Sequence, residues 1–453
     1  MSLRPILQAL TWLILTCPAY AKPNIIYILA DDLGYGDLSC YGQTKFSTPH
    51  IDALAASGMK FTQHYAGSTV CAPSRCSLMT GLHTGHALVR GNREVQPEGQ
   101  APLPANTITV AKRLKSAGYA TGAFGKWGLG FPGSEGEPNQ QGFDTFYGYN
   151  CQRQAHTYYP EWLYRNQEKI RLDGQTYAHD LIMKESLKWI RDHAEKPFFA
   201  FLPVTIPHAA MHVPDDYAAP FHKRFPQFEE VKGKYAGTTI RNPVAKFAGM
   251  MKKLDDDVGR LTQLLHELEI HENTLVIFTS DNGPHIEGGH KPYFFDSNGP
   301  LNGLKRDLTE GGIRVPFIAT WPGTIEAGSI SHHVSAFWDF LPTACDLAGA
   351  HLPPDLDGIS YLPELLGKTQ DQHDYLYWEF FERGGRRAAR FGNIKAVQLN
   401  VHKNPHGPIA IYDLDRDIGE TQNLAKDRGD LVQRATEIFA EAHTPSPHWK
   451  FGH

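Results

Sequence analysis

Short apolar runs rich in branched and aromatic residues recur along the chain, and each is followed by a polar cluster. Four such runs predict buried strands: 24–30 before Asp31-Asp32, 120–124 before Gly125-Lys126, 198–204 before Pro207-His208, and 275–278 before Ser280-Asp281-Asn282. Helical patterns lie between them, as at 245–268. This alternation predicts an α/β domain whose mainly parallel sheet is flanked by helices, with the polar clusters meeting where the strands end.

Composition narrows the class of protein. The chain has 453 residues, 41% of them hydrophobic, which is enough for one large domain or for a large and a small one. The formal net charge is −5 and no long Lys or Arg block occurs, so we do not expect a general nucleic-acid or anionic-membrane binder.

The N-terminus has the pattern of a cleavable secretory signal. Arg4 precedes an apolar run at 6–15, and Ala19-Tyr20-Ala21 supplies the small residues of a cleavage site near Ala21. The apolar run is too short for a stable membrane span, and no later stretch reaches the roughly 20 apolar residues that a spanning helix needs. We therefore expect residues 1–21 to be removed and the mature chain to be exported, either periplasmic or secreted.

Cysteine usage points to one reactive position. Five cysteines remain after residue 21, an odd number for an exported protein, so at least one is unpaired or chemically altered; spacing predicts no particular bridge. Cys71 opens a helical pattern with Arg75 one turn later, a setting that favours a lowered thiol pKa. The alternative is a small buried cysteine of the core.

Two polar pairs suggest a metal site. Asp31-Asp32 and Asp281-Asn282 each follow a predicted buried strand, and together they offer the hard oxygen ligands that calcium or magnesium prefers. Either pair alone is more often a solvated turn. Both pairs together with a nucleophile favour a cation that stabilises an ionised oxygen.

These motifs, in this order, resemble those of the type I sulfatases of the alkaline phosphatase superfamily. Cys71-Ala72-Pro73-Ser74-Arg75 resembles the family's C-x-P-S-R signature, whose cysteine is oxidised to formylglycine by a maturation enzyme. The other matching segments are 24–36, Gly125-Lys126-Trp127, Pro207-His208, 279–283, 305–316 and, nearer the C-terminus, 412–424. The resemblance implies a catalytic domain at 22–370 and a smaller α+β subdomain at 371–453, with antiparallel strands and a helix.

The resemblance also implies roles for single residues. Calcium would be bound by Asp31, Asp32, Asp281, Asn282 and the modified Cys71. Arg75 would hold the hydrated aldehyde and the metal-site carboxylates. Lys126 and Lys305 would bind sulfate oxygens, and His208 would protonate the leaving oxygen.

One position departs from the family pattern. The family has a histidine two residues after the first lysine, where it contacts the formylglycine hydroxyl, but this chain has Gly128. We consider His86, His212, His285 and His290 as replacements and cannot rank them from the sequence. A degenerate site that binds without turnover is the other interpretation.

The substrate is expected to be a sulfated carbohydrate rather than a small aryl sulfate. His285 and His290 follow the second metal pair and could reach the sugar. The cluster His156, Tyr158, Tyr159 and Trp162 is suited to stacking on a sugar ring, although ordinary loop packing is the commoner meaning of such residues. The sequence indicates neither the sugar nor the sulfate position.

Two other functions stay open at this point. One is a phosphate mono- or diester hydrolase of the same superfamily, whose members more often show two metals and a Ser or Thr nucleophile. The other is an exported glycan-binding protein that has lost catalysis through the change at Gly128.

Overall fold

The computed structural model describes residues 22–452. Its strands are β1 Asn24–Ala30, β2 Met59–Tyr65, β3 Ala120–Lys126, β4 Thr145–Tyr149, β5 Trp162–Arg165, β6 Glu168–Arg171, β7 Phe198–Pro203, β8 Lys232–Tyr235, β9 Thr238–Arg241, β10 Thr274–Ser280, β11 Arg314–Thr320, β12 Ser329–Ser331, β13 Ser335–Ala336, β14 Leu376–Phe380, β15 Arg386–Phe391, β16 Ile394–Leu399 and β17 Ile409–Asp413. Its helices are α1 Pro49–Ser57, α2 Cys71–Thr80, α3 Val110–Ser116, α4 Ala178–Asp192, α5 Asp215–Arg224, α6 Pro243–Glu267, α7 Pro292–Phe295, α8 Glu310–Ile313, α9 Phe340–Ala348, α10 Leu362–Leu365 and α11 Gly429–Glu441.

A large mixed sheet forms the centre of the molecule, in the order β12-β2-β11-β10-β1-β7-β3-β4-β5-β6. The five strands from β10 to β4 are mutually parallel, whereas β11 pairs antiparallel with both β10 and β2. The four predicted strands are β1, β3, β7 and β10, and they lie side by side. The prediction of a mainly parallel α/β sheet is confirmed.

Helices cover both faces of this sheet. Successive residues of β1 face opposite cores, with Ile26 and Ile28 packed toward α6 and Tyr27 and Leu29 packed toward α2 and α9. A strand buried on both faces has apolar residues at every position, which is why the sequence predicts β1. The predicted helix at 245–268 is α6, and its capping residue Asn242 accepts a bond from the backbone N–H of Ala245 at 2.9 Å.

A separate antiparallel sheet, β14-β15-β16-β17, lies near the C-terminus. Helix α11 packs on it through Ile438 and Phe439, which share a core with Tyr377 and Ile411. Residues 366–375, between α10 and β14, form neither helix nor strand. The expected α+β character of this part is confirmed, while a domain boundary at 370 stays a prediction.

Residues 1–21 lie outside the described part of the chain, so the expected signal segment is not tested by the structure. Within residues 22–452 no helix is both long and apolar enough to cross a bilayer. The five cysteines in this part of the chain are all free thiols.

Candidate active site

The two predicted metal pairs meet at the carboxyl edge of the sheet. Strands β1 and β10 pair in register up to Ala30 and Ser280, so the residues that follow them are neighbours. The backbone N–H of Asp281 donates to the carbonyl of Ala30 at 3.0 Å, and that of Asp32 donates to Asp281 Oδ1 at 3.1 Å. Asp32 has a left-handed φ of 64°, which aspartate tolerates better than most residues.

Cys71 is the first residue of α2, and every residue of this helix is buried. Its Sγ lies 3.4 Å from Asp31 Oδ1 and 3.4 Å from Lys126 Nζ. Burial, with the negative charge of Asp31, raises the pKa of the Cys71 thiol despite the nearby lysines. The expectation of a lowered thiol pKa is therefore wrong, because desolvation outweighs the helix terminus and the cations.

Arg75 lies one turn further along α2 and joins the elements of the site. Its Nε and Nη2 donate to Asp281 Oδ2 at 3.1 and 2.8 Å, and its Nη1 donates to the carbonyl of Lys126. Nη2 is also 3.7 Å from Asp31 Oδ1. One guanidinium therefore holds the ends of β1, β3 and β10 together.

Two buried lysines face the two aspartates that follow β1. Lys126 Nζ is 2.6 Å from Asp31 Oδ2, and Lys305 Nζ is 2.7 Å from Asp32 Oδ2. Burial alone would lower the pKa of each lysine, but the partner carboxylates more than offset it and raise both pKa values. Burial alone would raise the pKa of Asp31, but Lys126 and the other cations outweigh it and hold that pKa well below its usual range. Both lysines are charged in this site.

His208 follows β7, and its Nε2 faces the charged groups of Asp32 and Lys305. Nε2 lies 3.2 Å from Asp32 Oδ2 and 3.2 Å from Lys305 Nζ, while Nδ1 contacts the carbonyl of Ala209. Burial, together with the charge of Lys305, holds the pKa of His208 well below its usual range. The imidazole is neutral in the free site.

Part of the aromatic cluster expected to stack on a sugar instead supports His208. The Tyr158 hydroxyl is buried and donates to the carbonyls of Thr205 and His208 at 2.8 and 2.7 Å, so this ring is not free to face a ligand. The ring of His156 stacks on that of His208, with centroids 4.6 Å apart and planes within 2°. The sequence placed these residues near each other but did not reveal this supporting role.

His285 lies beside Asp32, since donor atoms of Asp32, His285 and Glu287 are within 4.8 Å of one another, and His290 lies next to His285. The His285 ring centroid is 5.6 Å from that of His208, and its Nδ1 is 3.5 Å from Glu287 Oε2. His290 is also buried, and its ring centroid lies 3.9 Å from that of Phe247 and 4.9 Å from that of His285. Their part in substrate binding stays a prediction.

The histidines considered as substitutes at Gly128 are spread over the molecule. His86 pairs with Asp357 at 2.8 Å, and His212 packs against Tyr158 and Tyr159. Within residues 22–452, His285 is the one of the four whose ring stacks on that of His208. None of the four is shown to fill the missing position.

The donor set fits a divalent cation. Donor atoms of Asp31, Asp32, Cys71 and His208 lie within 4.8 Å of one another, and Asn282 Oδ1 is buried with no partner among residues 22–452. Burial and the charge of Asp31 raise the pKa of Asp281 to about 7, a sign of crowded negative charge. Several carboxylates and an orphaned amide oxygen are the hard ligands that Ca²⁺ takes.

This sheet edge, with a helix-borne residue 71, buried carboxylates and two lysines, has the arrangement of hydrolases that act on esters of tetrahedral oxyanions. The chain belongs to the sulfatase family, since the family model described as Sulfatase matches residues 23–350. A second model, N-sulphoglucosamine sulphohydrolase, C-terminal, matches residues 304–440.

Individual relatives agree with this assignment. The chain is 31% identical to N-acetylgalactosamine-6-sulfatase of Rattus norvegicus, over 97% of this chain and 88% of the relative. It is 33% identical to arylsulfatase A of Homo sapiens, over 89% and 83% of the two chains. The crystal structure of Ps i-CgsB in complex with k-i-k-neocarrahexaose is 28% identical, covers 95% of both chains and superposes with a TM-score of 0.80. The protein is a sulfuric ester hydrolase.

Proposed function

We propose that this enzyme removes sulfate from a sulfated carbohydrate, using a formylglycine derived from Cys71 and one calcium ion. The observation that carries the proposal is the position of Cys71 Sγ, 3.4 Å from both Asp31 and Lys126 inside a buried cluster of charged groups. A side chain at position 71 therefore lies next to a lysine that would bind sulfate and a carboxylate that would bind the metal. Relatives named for an amino-sugar sulfate, and a similar protein bound to an oligosaccharide, support a carbohydrate substrate, while the relative named arylsulfatase A makes an aryl sulfate the alternative.

Each residue of the site has a separate role in the proposed reaction. Lys126 and Lys305 would bind the sulfate oxygens, and Arg75 would hold residue 71 and Asp281 in place. The ester S–O bond breaks with net consumption of water, which yields sulfate and an alcohol. A sugar alkoxide leaves poorly, so His208 would deliver a proton to it from Nε2. An anionic ester beside Nε2 would favour the protonated imidazole, opposing the effects of burial and Lys305.

The metal and the modified side chain complete the proposal. Asp31, Asp32, Asp281, Asn282 and residue 71 would hold the calcium ion, which when bound would stabilise an ionised oxygen and balance the charge of sulfate. His285, beside the general acid, and His290, next to His285, would contact the sugar.

The proposal also includes the export, the maturation and the domain organisation of the chain. A signal at 1–21 would direct export to the periplasm or the medium, and a formylglycine-generating enzyme would oxidise Cys71. The catalytic part would span 22–370 and the smaller C-terminal subdomain 371–453.

The test is release of free sulfate from a panel of sulfated mono- and disaccharides. The protein is coexpressed with a formylglycine-generating enzyme, and Cys71→Ala serves as the control. Release that depends on Cys71 supports the proposal and identifies the sugar and the sulfate position together. Faster cleavage of phosphate esters by the same preparation, or glycan binding without product, would contradict it.

A further inference from the structure

Lys305 lies in a tight turn. Residues 304–307 form a β-turn, which is closed by a bond from the Asp307 N–H to the carbonyl of Leu304 at 2.8 Å. The Asp307 side chain also fastens the start of the turn, since its Oδ2 accepts from the Leu304 N–H at 3.1 Å. Lys305 is the second residue of this turn, and its Nζ lies 2.7 Å from Asp32 Oδ2. The direction of the Lys305 side chain therefore depends on the shape of the turn.

The third residue of the turn, Arg306, has a strained backbone conformation. Its φ is +75°, in the left-handed region where a β-turn favours glycine or asparagine. A residue with a longer side chain is disfavoured there, so the turn keeps this shape only where surrounding contacts hold it.

One side of the turn is attached to the active site. The N–H of Lys305 donates to the carbonyl of Pro284 at 2.9 Å, and that of Arg306 donates to the carbonyl of Thr69 at 3.1 Å. Pro284 and Thr69 are each two residues away from a position of the proposed metal site. A change in the turn would therefore be felt where the substrate is expected to bind.

The C-terminal sheet holds the other side of the turn. Arg386, on β15, donates from a single nitrogen, Nη1, to the carbonyl of Arg306 at 3.0 Å and to Asp307 Oδ1 at 2.5 Å. Arg383 lies 3.4 Å from the same Asp307 oxygen, but its side chain is 42% exposed, against 16% for Arg386. Since exposed ion pairs contribute little, Arg386 is the stronger partner of the two.

The side chain of Arg306 adds a further link between the two sides. It pairs with Glu287, which follows β10, and its Nε donates to Glu382 Oε2, between β14 and β15, at 3.3 Å. These pairs hold the Arg306 side chain, whereas Arg386 bonds the backbone of the strained residue and the carboxylate that fastens the turn.

We propose that Arg386 is a positioning residue, which holds the 304–307 turn so that Lys305 can bind a sulfate oxygen. This inference rests on the proposed function, which assigns Lys305 to the sulfate. Arg386 acts through Lys305 and is not itself a catalytic residue. The C-terminal sheet would thereby take part in substrate binding.

The experiment compares Arg386→Met and Arg386→Lys with Arg387→Met as the matched control. Arg387 is the next residue of β15, and its side chain donates to Gln398 Oε1 and to the carbonyl of Pro405, both at 2.7 Å, neither of which belongs to the turn. We measure kcat and KM for sulfate release, Tm, and the affinity for inorganic sulfate by calorimetry. Sulfate affinity does not depend on turnover.

The expected result separates positioning from stability. Arg386→Met should weaken sulfate binding and raise KM by about 10-fold, since apparent affinity falls with the fraction of molecules that hold Lys305 in place. Arg386→Lys should recover most of this affinity, because both bonds come from one nitrogen and an ammonium group can donate to both oxygens. Arg387→Met should lower Tm while keeping the wild-type KM and sulfate affinity.

The inference is overturned if Arg386→Met keeps the wild-type KM and sulfate affinity, or if Arg387→Met weakens sulfate binding to the same extent. If the wild type releases sulfate, the proposed function stands in both cases. If the wild type releases no sulfate, the proposed function fails and sulfate affinity decides the inference. A wild type that binds sulfate no better than Arg386→Met then overturns both.

Discussion

Replacing Arg75 by lysine tests how the site is held together. The guanidinium makes two hydrogen bonds to Asp281 Oδ2 and one to the carbonyl of Lys126, and its charge faces Asp31. A lysine ammonium keeps the charge but cannot form the same fork, so it would retain about one of these bonds.

Each lost bond involves a charged group and contributes about 1.5–3 kcal/mol. Two lost bonds therefore lower the free energy of unfolding by about 3 kcal/mol at the low end, and Tm by about 3 °C for a chain of this length. Because Asp281 and the end of β3 would shift, kcat/KM for sulfate release should fall by about 100-fold. Differential scanning fluorimetry and a sulfate-release assay measure the two effects.

Arg314→Lys is the matched control. Arg314 is also buried and donates to a carbonyl, that of Thr62 at 2.7 Å, and to a carboxylate, Glu310 Oε2 at 3.2 Å. Since a lysine would keep about one of these two bonds, Arg314→Lys should lose about half as much stability as Arg75→Lys while keeping its activity per folded molecule. The reasoning is refuted if Arg75→Lys retains wild-type kcat/KM, or if its activity falls only as much as that of Arg314→Lys.

Three further outcomes are expected. Chelation of calcium should lower activity and Tm together, since a ligand at 100 times its Kd stabilises the folded state by about 2.7 kcal/mol; an unchanged Tm in EDTA argues against the metal site. Protein in which mass spectrometry shows unoxidised Cys71 should have near-background activity with an unchanged circular dichroism spectrum, and equal activity of both forms would contradict the role of formylglycine. Burial raises the pKa of Glu420 to about 8 from its usual 4.5, so the folded state binds an extra proton between these values and loses stability as pH rises through them. Glu420→Gln should therefore flatten the fall in Tm between pH 5 and 8.5, and a fall as steep as that of the wild type would show that another group causes it.

The strands that carry the site were predictable because they are buried on both faces. A buried parallel strand must be apolar throughout, so β1, β3, β7 and β10 stand out as runs without alternation. Their polar ends were predictable for the same reason, since the carboxyl ends of parallel strands share one edge. Asp31 and Asp281 could thus be placed together before any coordinate was known.

The surroundings of each site residue were harder to predict. The chain shows that Cys71 opens a helix, but not that burial raises the pKa of its thiol. The sequence shows aromatic residues near position 158, but not that the Tyr158 hydroxyl is hydrogen-bonded to two carbonyls of the His208 loop. Both facts depend on segments distant in sequence that pack against these residues.

The sequence by itself determined four central strands that alternate with helices, the residue types at the ends of those strands and the glycine at position 128. Only the tertiary structure decided which atoms pair at that edge, because the sheet brings together strand ends about 250 residues apart, as in the bond from Asn282 Nδ2 to Asp32 Oδ1 at 2.7 Å. The carboxamide of Gln152 fills the space beside Gly128 for the same reason. Periodicity and residue type are local properties of a chain, whereas burial, charge pairing and unsatisfied hydrogen bonds arise from the folded neighbourhood.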